Sequence, residues 1–541
     1  MTVGDGAGRG RWAAPVALLI VLGLSLTPLV AIVSGATGGG QGPAASTRFA
    51  EGFATLTENR SIRALLFTLS QATASTVAAL LIGLPGAWLV ARFRFPGRRL
   101  LKSLAAVPFS VPPLLVVLAF VLYYGRAGYV NRLLMSVFSL QEPPLTFLYS
   151  FWGIVLVHGF YNFPIVLQTL GEIWARLPRD RDEAARLLGA GPLRAFATGS
   201  LPALAPSLAQ AAALTFLFCF FSFAVVLVFG GLVGSTLEVE VYRRARIEAD
   251  PAGASVIALA ETAIAVLVVT LMGSLERRHL RQTRSLAAQP AGRPHGAVKL
   301  ALAAYVLFLG LFFAGPLVAM AIEAFTVRRG MAGPGHLGLE VFRRLLHTGV
   351  LLRSIADSAA TALPAAFIAL AAGGLAAVGL RNLRGRGAAA LSLPLAVSGI
   401  VASLGWSIIF PQGGNALVVP VLALMSMPFV GKALSGALAI IDPSPPLAAR
   451  ILGAGPLRAT LGIELRAVAP SLLAAGAFAF AIAAGDLNVP IVLGRGTFEP
   501  LPVLLYRLAS SYRFPEACAV GLLLGLLTGI VFFVKEGRSD A

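Results

Sequence analysis

Charged side chains are scarce in this sequence: Asp, Glu, Lys and Arg together make up 12% of 541 residues, about half of what a soluble domain carries. An ordinary soluble globular fold is thereby excluded. Acidic residues are the scarcer sign, 24 against 43 basic, for a formal net charge of +19. The basic residues sit in short clusters between apolar runs and form no basic domain, so a nucleic-acid partner is not expected. Cysteine occurs only at Cys219 and Cys518, each in or beside an apolar run, which supports neither a disulfide framework nor a cysteine-based metal site. Catalytic motifs are also missing: there is no G-x-x-x-x-G-K-[ST] phosphate loop, no H-E-x-x-H and no G-x-S-x-G. The chain is expected to be no enzyme, to hold no metal and to bind no cofactor of its own.

Apolar residues supply what is present, 57% of the chain. At about 20 apolar residues per membrane crossing, the length has room for about a dozen spans. Candidates fall near 15–33, 64–91, 103–124, 146–171, 203–229, 253–274, 300–322, 354–380, 389–410, 417–441, 467–493 and 516–534. The first, Pro15 to Val33, follows Arg9 and Arg11 in the manner of a signal peptide, but its length favours a retained helix. An even number of spans puts both termini on one side. That side collects most of the Lys and Arg, although Arg328, Arg329, Arg343, Arg344 and Arg353 run against the trend. The positive-inside rule makes that side the cytoplasm. The expected fold class is an all-α polytopic membrane protein of about twelve transmembrane helices, multi-pass in the lipid bilayer of the cell (inner) membrane.

The strongest signal is internal. Ala184 to Ala195 reads AARLLGAGPLRA, and Ala448 to Ala459, 264 residues later, reads AARILGAGPLRA. Such identity marks a duplication. Six spans separate the copies, so both face the same side and the halves are parallel rather than inverted repeats. Within each copy Gly189 and Gly191, or Gly453 and Gly455, can end a helix in a left-handed cap, and Pro192 or Pro456 suits the first turn of the next. Short helix, sharp bend, second helix is the expected shape. Ala184-Ala185 and Ala448-Ala449 leave the first helix a flat face on which another protein can close.

Glu183, Ala184, Ala185, then Gly189, then Leu201 and Pro202 resembles the EAA loop of ABC importer permeases, with Gly199 where that family usually has Ile. The second copy keeps Ala448, Ala449, Gly453, Ile463 and Leu465 but has Leu447 for the Glu and Arg466 for the Pro. The resemblance implies a type I, MetI-like fold of two six-span halves: residues 1–275 with loop 183–202, a cytoplasmic linker 276–298, and residues 299–541 with loop 447–466. It further implies two ATPase subunits seated on the two loops, which consume the ATP, and a periplasmic binding protein that delivers the solute. Two halves in one chain are similar to the ferric-iron and thiamine importers. Stretches such as Phe218 to Leu227 with Gly230-Gly231, Leu237 to Tyr242, Asp250-Pro251-Ala252, Gly485-Asp486, Leu501-Pro502, Leu505-Tyr506 and Ser511-Tyr512-Arg513 favour thiamine over iron.

Ionisable groups inside spans are costly and are functional candidates by default. Here they are Glu261, Asp357, Lys432 and Asp486. Thiamine is a cation with aromatic rings, so an acid near aromatics suits its path. Asp486 is the leading candidate, because the repeat offset maps it onto Ser222, flanked by Phe221 and Phe223. A structural role in hydrogen bonding between helices competes with that reading. For Glu261 and Asp357, placed nearer span ends, and for Lys432 the structural role is favoured. His158, in a span kinked at Pro164, is either a pathway residue or a packed, hydrogen-bonded histidine. Pro85, Pro108, Pro112, Pro113 and Pro364 are expected to bend their spans. The alternatives are an ion-coupled secondary transporter relaying protons through Glu261, Asp357 or Asp486, and a membrane-embedded enzyme, for which no converging catalytic set is visible.

Overall fold

The computed structural model describes residues 13–36, 53–98, 101, 111–178, 180–231, 233–283, 292–328, 335–380, 390–442 and 444–539. Arg9, Arg11, Pro108, Arg329 and the start of the span expected at 103–124 lie outside them. In chain order the main helices are α1 (Ala13–Ala36), α2 (Asn59–Arg92), α3 (Pro113–Tyr124), α4 (Phe151–Trp174), α5 (Asp180–Leu187), α6 (Leu201–Phe220), α7 (Ala224–Phe229), α8 (Leu237–Arg246), α9 (Pro251–Thr283) and α10 (Ala297–Leu309). They continue with α11 (Val350–Leu380), α12 (Gly399–Ile409), α13 (Val418–Leu438), α14 (Ser444–Ile451), α15 (Ala469–Gly485), α16 (Asn488–Leu493), α17 (Leu501–Ser510) and α18 (Phe514–Ser539). Among the described residues the strands are one short antiparallel pair, Thr326–Arg328 with Gly335–Leu337.

Every expected span carries a helix. Among the described residues eight helices are long and apolar enough to cross a bilayer, and the pair Ala390–Ala396 and Gly399–Ile409, bent by 83°, stands at a ninth expected position. Shorter apolar helices at Leu19–Gly35, Ala469–Gly485 and Phe514–Gly529 occupy the remaining three expected positions. The expectation fails in detail at three places. Pro112 and Pro113 do not bend a span; Pro112 is the N-cap and Pro113 the first residue of α3, where a missing N–H costs nothing. The spans expected at 203–229 and 467–493 are each broken, after Phe220 and after Gly485.

The chain forms two compact units, each drawing on both sequence halves: Met1–Glu58 with Glu240–Val269 and Phe342–Ala541, and Asn59–Val239 with Thr270–Val341. In the first, α1 packs on α11 and α12, and α11 on α13 and α15. In the second, α2 packs on α4 and α6. Lipid tails give no hydrophobic drive between helices, so close backbone approach through small residues must supply the attraction. Gly83 makes that approach in α2: a Cβ there would sit 2.7 Å from Val166 Cβ and 2.8 Å from the Phe163 carbonyl. Gly373 makes it in α11, with 2.9 Å to Val430 and 3.0 Å to the Met427 carbonyl. Val430 and Met427 lie 264 residues after Val166 and Phe163, so the duplication persists as the same helix crossing.

Aromatic packing fills the unit containing α2. Phe160 stacks on Phe312 at 5.6 Å and an interplanar angle of 3°, and Phe163 meets Phe313 edge-on at 6.0 Å. These contacts fix the helical run Ala297–Ala324 against α4. Tyr305 adds a 3.0 Å hydrogen bond to the Ile82 carbonyl, lying over Gly86 where a side chain would collide with its hydroxyl.

Candidate functional site

The two copies of the repeated loop adopt one conformation. In the first, Gly189 has φ +84° and Gly453 in the second has φ +91°, the left-handed region that glycine enters without a Cβ penalty. Gly189 N donates to the Arg186 carbonyl at 2.9 Å and Ala190 N to the Ala185 carbonyl at 3.0 Å; Gly453 N and Ala454 N donate to Arg450 and Ala449 at 3.1 and 2.9 Å. This is the Schellman pattern, which satisfies the last carbonyls of α5 and α14 and reverses the chain. Gly191 plays a different part from the one expected: its φ is −63°, and it is the N-cap of Pro192–Ala195. The next turn is a π-helix in both copies, Phe196–Ser200 and Thr460–Glu464.

The turn presents apolar side chains outward. Leu187, Leu188 and Leu193 are 89%, 89% and 84% exposed, and Ile451 and Leu452 are 85% and 88%. Ala184 and Ala448 are exposed beside them, with Ala185 and Ala449 half-buried. The copies differ at the start of the helix. Asp180, Asp182 and Glu183 occupy the first turn of α5, where acidic groups favour the helix dipole. The first turn of α14 has none; instead Asp442 accepts from the Ser444 amide and hydroxyl at 2.9 and 2.8 Å. The amide bond above all holds its carboxyl below the usual range. Beyond the loop, Pro192–Phe220 is one helical run, with Leu201 and Pro202 inside it, whereas the second run is interrupted at Val468, three residues after Leu465.

Ser222 and Asp486 occupy the breaks that end these runs. A helix ending inside a membrane must find donors for its last carbonyls. Gln71 Nε2 donates to the Cys219 carbonyl at 2.7 Å, and Thr236 Oγ1 to the Ser222 carbonyl at 2.9 Å. His158 joins this cluster through both ring nitrogens, Nε2 to Ser222 Oγ at 2.7 Å and Nδ1 to Ser75 Oγ at 3.3 Å. Asn162 bonds the His158 carbonyl at 3.0 Å and Cys219 Sγ at 3.4 Å. All these side chains are buried, as is Phe223, while Phe221 is half-buried. In the other unit Asp486 Oδ1 accepts from Val489 N at 2.8 Å and starts α16. One break is sealed at its carbonyls, the other at its amides.

The structure thus brings His158 and Ser222 together with Ser75, a residue that no sequence motif marks. Its signal was present as Thr68, Gln71, Ser75 and Thr76, a buried polar stripe at helical spacing in an apolar span. Removing one such bond in a membrane protein costs about 1 kcal/mol. Ser75→Ala is expected to lower stability by that amount and leave His158 held by Ser222, which thermal unfolding of the purified chain would read.

The remaining intramembrane charges have separate settings. Glu261 is buried midway along 251–275 rather than near a span end. Asp357 accepts from Glu499 N at 2.8 Å, and its neighbour Ser358 accepts from Leu501 N at 2.8 Å, together anchoring the start of α17. Thr68 does the same for α8, accepting from Leu237 N at 2.9 Å. The buried Arg244 holds the end of α8, bonded to Glu58, to Glu240 at 3.2 Å and to Asp250 at 3.0 Å. Burial opposes its charge, and those carboxylates outweigh burial to raise its pKa. Among the described residues no three His, Cys, Asp or Glu side chains converge as a metal site.

Residues 79–283 match the family described as "Binding-protein-dependent transport system inner membrane component". The thiamine transport system permease protein ThiP of Brucella abortus (strain 2308) is 28% identical over 556 aligned residues, 98% of this chain and 97% of that one. ThiP of Escherichia coli (strain K12) is 29% identical, covering 85% and 86%. The putative 2-aminoethylphosphonate transport system permease protein PhnU of Salmonella typhimurium is 34% identical over 242 residues, 45% of this chain and 84% of its own.

Proposed function

Since the chain belongs to the binding-protein-dependent transport system inner membrane components, an ABC importer permease family, we propose that it carries thiamine inward, driven by two ATPase subunits docked on its two repeated loops. The observation that supports docking above all is the same Schellman turn formed twice, each with outward-facing leucines or isoleucine on short helices. Exposed apolar side chains of that size at a sharp turn need a partner to cover them. The first loop continues as a helical run ending at Phe220, so movement of the docking helix is carried to the break at Ser222. As pathway residues this reading takes Ser222 with His158, Phe221 and Phe223 in one unit, and Asp486 and Glu261 in the other. Both termini and both loops face the cytoplasm, and a binding protein delivers solute to the opposite face. This chain contributes two conformations of similar energy whose balance its partners shift.

Thiamine is favoured because relatives named thiamine permeases align over nearly the whole chain. The PhnU relative, more similar over a shorter stretch, gives a second reading, an aminoalkylphosphonate. Labelled thiamine and labelled 2-aminoethylphosphonate, offered separately to cells with and without this chain, test the choice. Chain-dependent uptake of thiamine alone is expected. Uptake of the phosphonate alone reverses the assignment.

A further inference from the structure

Gly199 is the one departure of the first loop from the EAA pattern, and its neighbours explain it. Asp182, in the first turn of α5, accepts a 2.6 Å hydrogen bond on Oδ2 from the hydroxyl of Ser200, which is buried. Its other oxygen, Oδ1, is buried with no hydrogen-bond partner among the described residues. That oxygen fills the space a Cβ on residue 199 would occupy, and the same Cβ would lie 3.1 Å from the Asp182 backbone nitrogen. A carboxylate at 182 and a side chain at 199 therefore exclude each other. The second copy, with the same turn and the same π-helix, has exchanged the whole set: Pro446 stands for Asp182, Ile463 for Gly199 and Glu464 for Ser200. Pro446 is buried and Ile463 half-buried.

Resting on the reading of these loops as ATPase docking sites, we infer that Asp182, Gly199 and Ser200 form a clamp that sets the angle of the first docking helix against its π-turn. The second loop has the buried Pro446 where the first has the Asp182 carboxylate. Asp182 and Gly199 are positioning residues: the side chains offered to the partner are Leu187, Leu188 and Leu193, and the clamp fixes where they point. A hydrogen bond to an ionised acceptor is stronger than a neutral one, so the clamp resists the pull of a moving partner.

The test is a double-mutant cycle on the full chain in nanodiscs, reading its affinity for the purified ATPase subunit and its level in the membrane. Asp182→Ala is expected to weaken the subunit's binding about ten-fold, from loss of the charged hydrogen bond, and Gly199→Ile by a similar factor through collision with the carboxylate. In the Asp182→Ala background Gly199→Ile is expected to change affinity by less than about three-fold, because the collision with the carboxylate has gone and only the 3.1 Å approach to the backbone nitrogen of residue 182 is left. Asp182→Asn, which keeps an acceptor for Ser200, should stay within about three-fold of wild type. Membrane levels remain those of wild type throughout. Additive losses, or wild-type affinity in Asp182→Ala, overturn the clamp. Absence of any binding by the wild-type chain overturns the docking reading instead, and the clamp with it.

Discussion

Tryptophan in place of Ala185 is expected to lower ATP-driven uptake about 100-fold while the chain stays at its wild-type level in the membrane. Ala185 is half-buried on the docking helix, and its carbonyl receives the Ala190 amide in the reversing turn. That backbone bond survives the substitution, so the loop keeps its fold. The indole projects instead from the small-residue face, lifting the partner off Leu187, Leu188 and Leu193. Loss of a central interface contact costs 2 kcal/mol or more, and a 100-fold drop corresponds to about 2.8 kcal/mol. Ala449→Trp is expected to do less harm, because Leu447 already replaces the glutamate and α14 lacks acidic residues in its first turn. Uptake assays on both variants, normalised to membrane content, check the pair. Equal losses would contradict unequal docking sites.

Valine at Gly189 is expected to produce a smaller loss by a different route. With φ +84° the position forces a side chain into the left-handed region, a cost of about 1–2 kcal/mol. The strain is relieved by giving up the amide bonds of residues 189 and 190, worth about 1 kcal/mol each. The docking helix then no longer turns back, and about 2 kcal/mol corresponds to roughly a 30-fold weaker ATPase association. Gly191→Ala, two residues on, is the control: φ is ordinary there and no atom lies within 4 Å of the added Cβ, so association within about two-fold of wild type is expected. Titration of the ATPase subunit against each variant distinguishes a requirement for this conformation from a general intolerance of the loop to change.

The contrast between Gly189 and Gly191 shows where sequence reasoning stops. Composition, span positions and the duplicated loop were legible because each is a local or summed property, and the Gly-Ala-Gly-Pro turn could be drawn from the conformational needs of its residues. Which glycine takes the left-handed position was not legible, since both can. The breaks at Ser222 and Asp486 escaped because a hydropathy window averages over them, and Phe221 and Phe223 keep the first break apolar. Asp486 is of a residue type that starts helices, but an apolar run on both sides of it reads as one span. His158 and Ser75 meet through folding across 83 residues, which periodicity does not report. Likewise, α1 shares a compact unit with residues 342–541, although the loops and offsets divide the sequence into two linear halves.

The most direct measurement is solute entry into proteoliposomes holding this chain, its ATPase subunits and its binding protein, with labelled thiamine as the probe. Uptake that requires ATP inside the vesicle compartment bearing the docking loops, and stops when the ATPase subunits are omitted, is the predicted result. Uptake sustained by a proton gradient with no ATPase present would contradict the account and return Glu261, Asp357 and Asp486 to consideration as an ion relay.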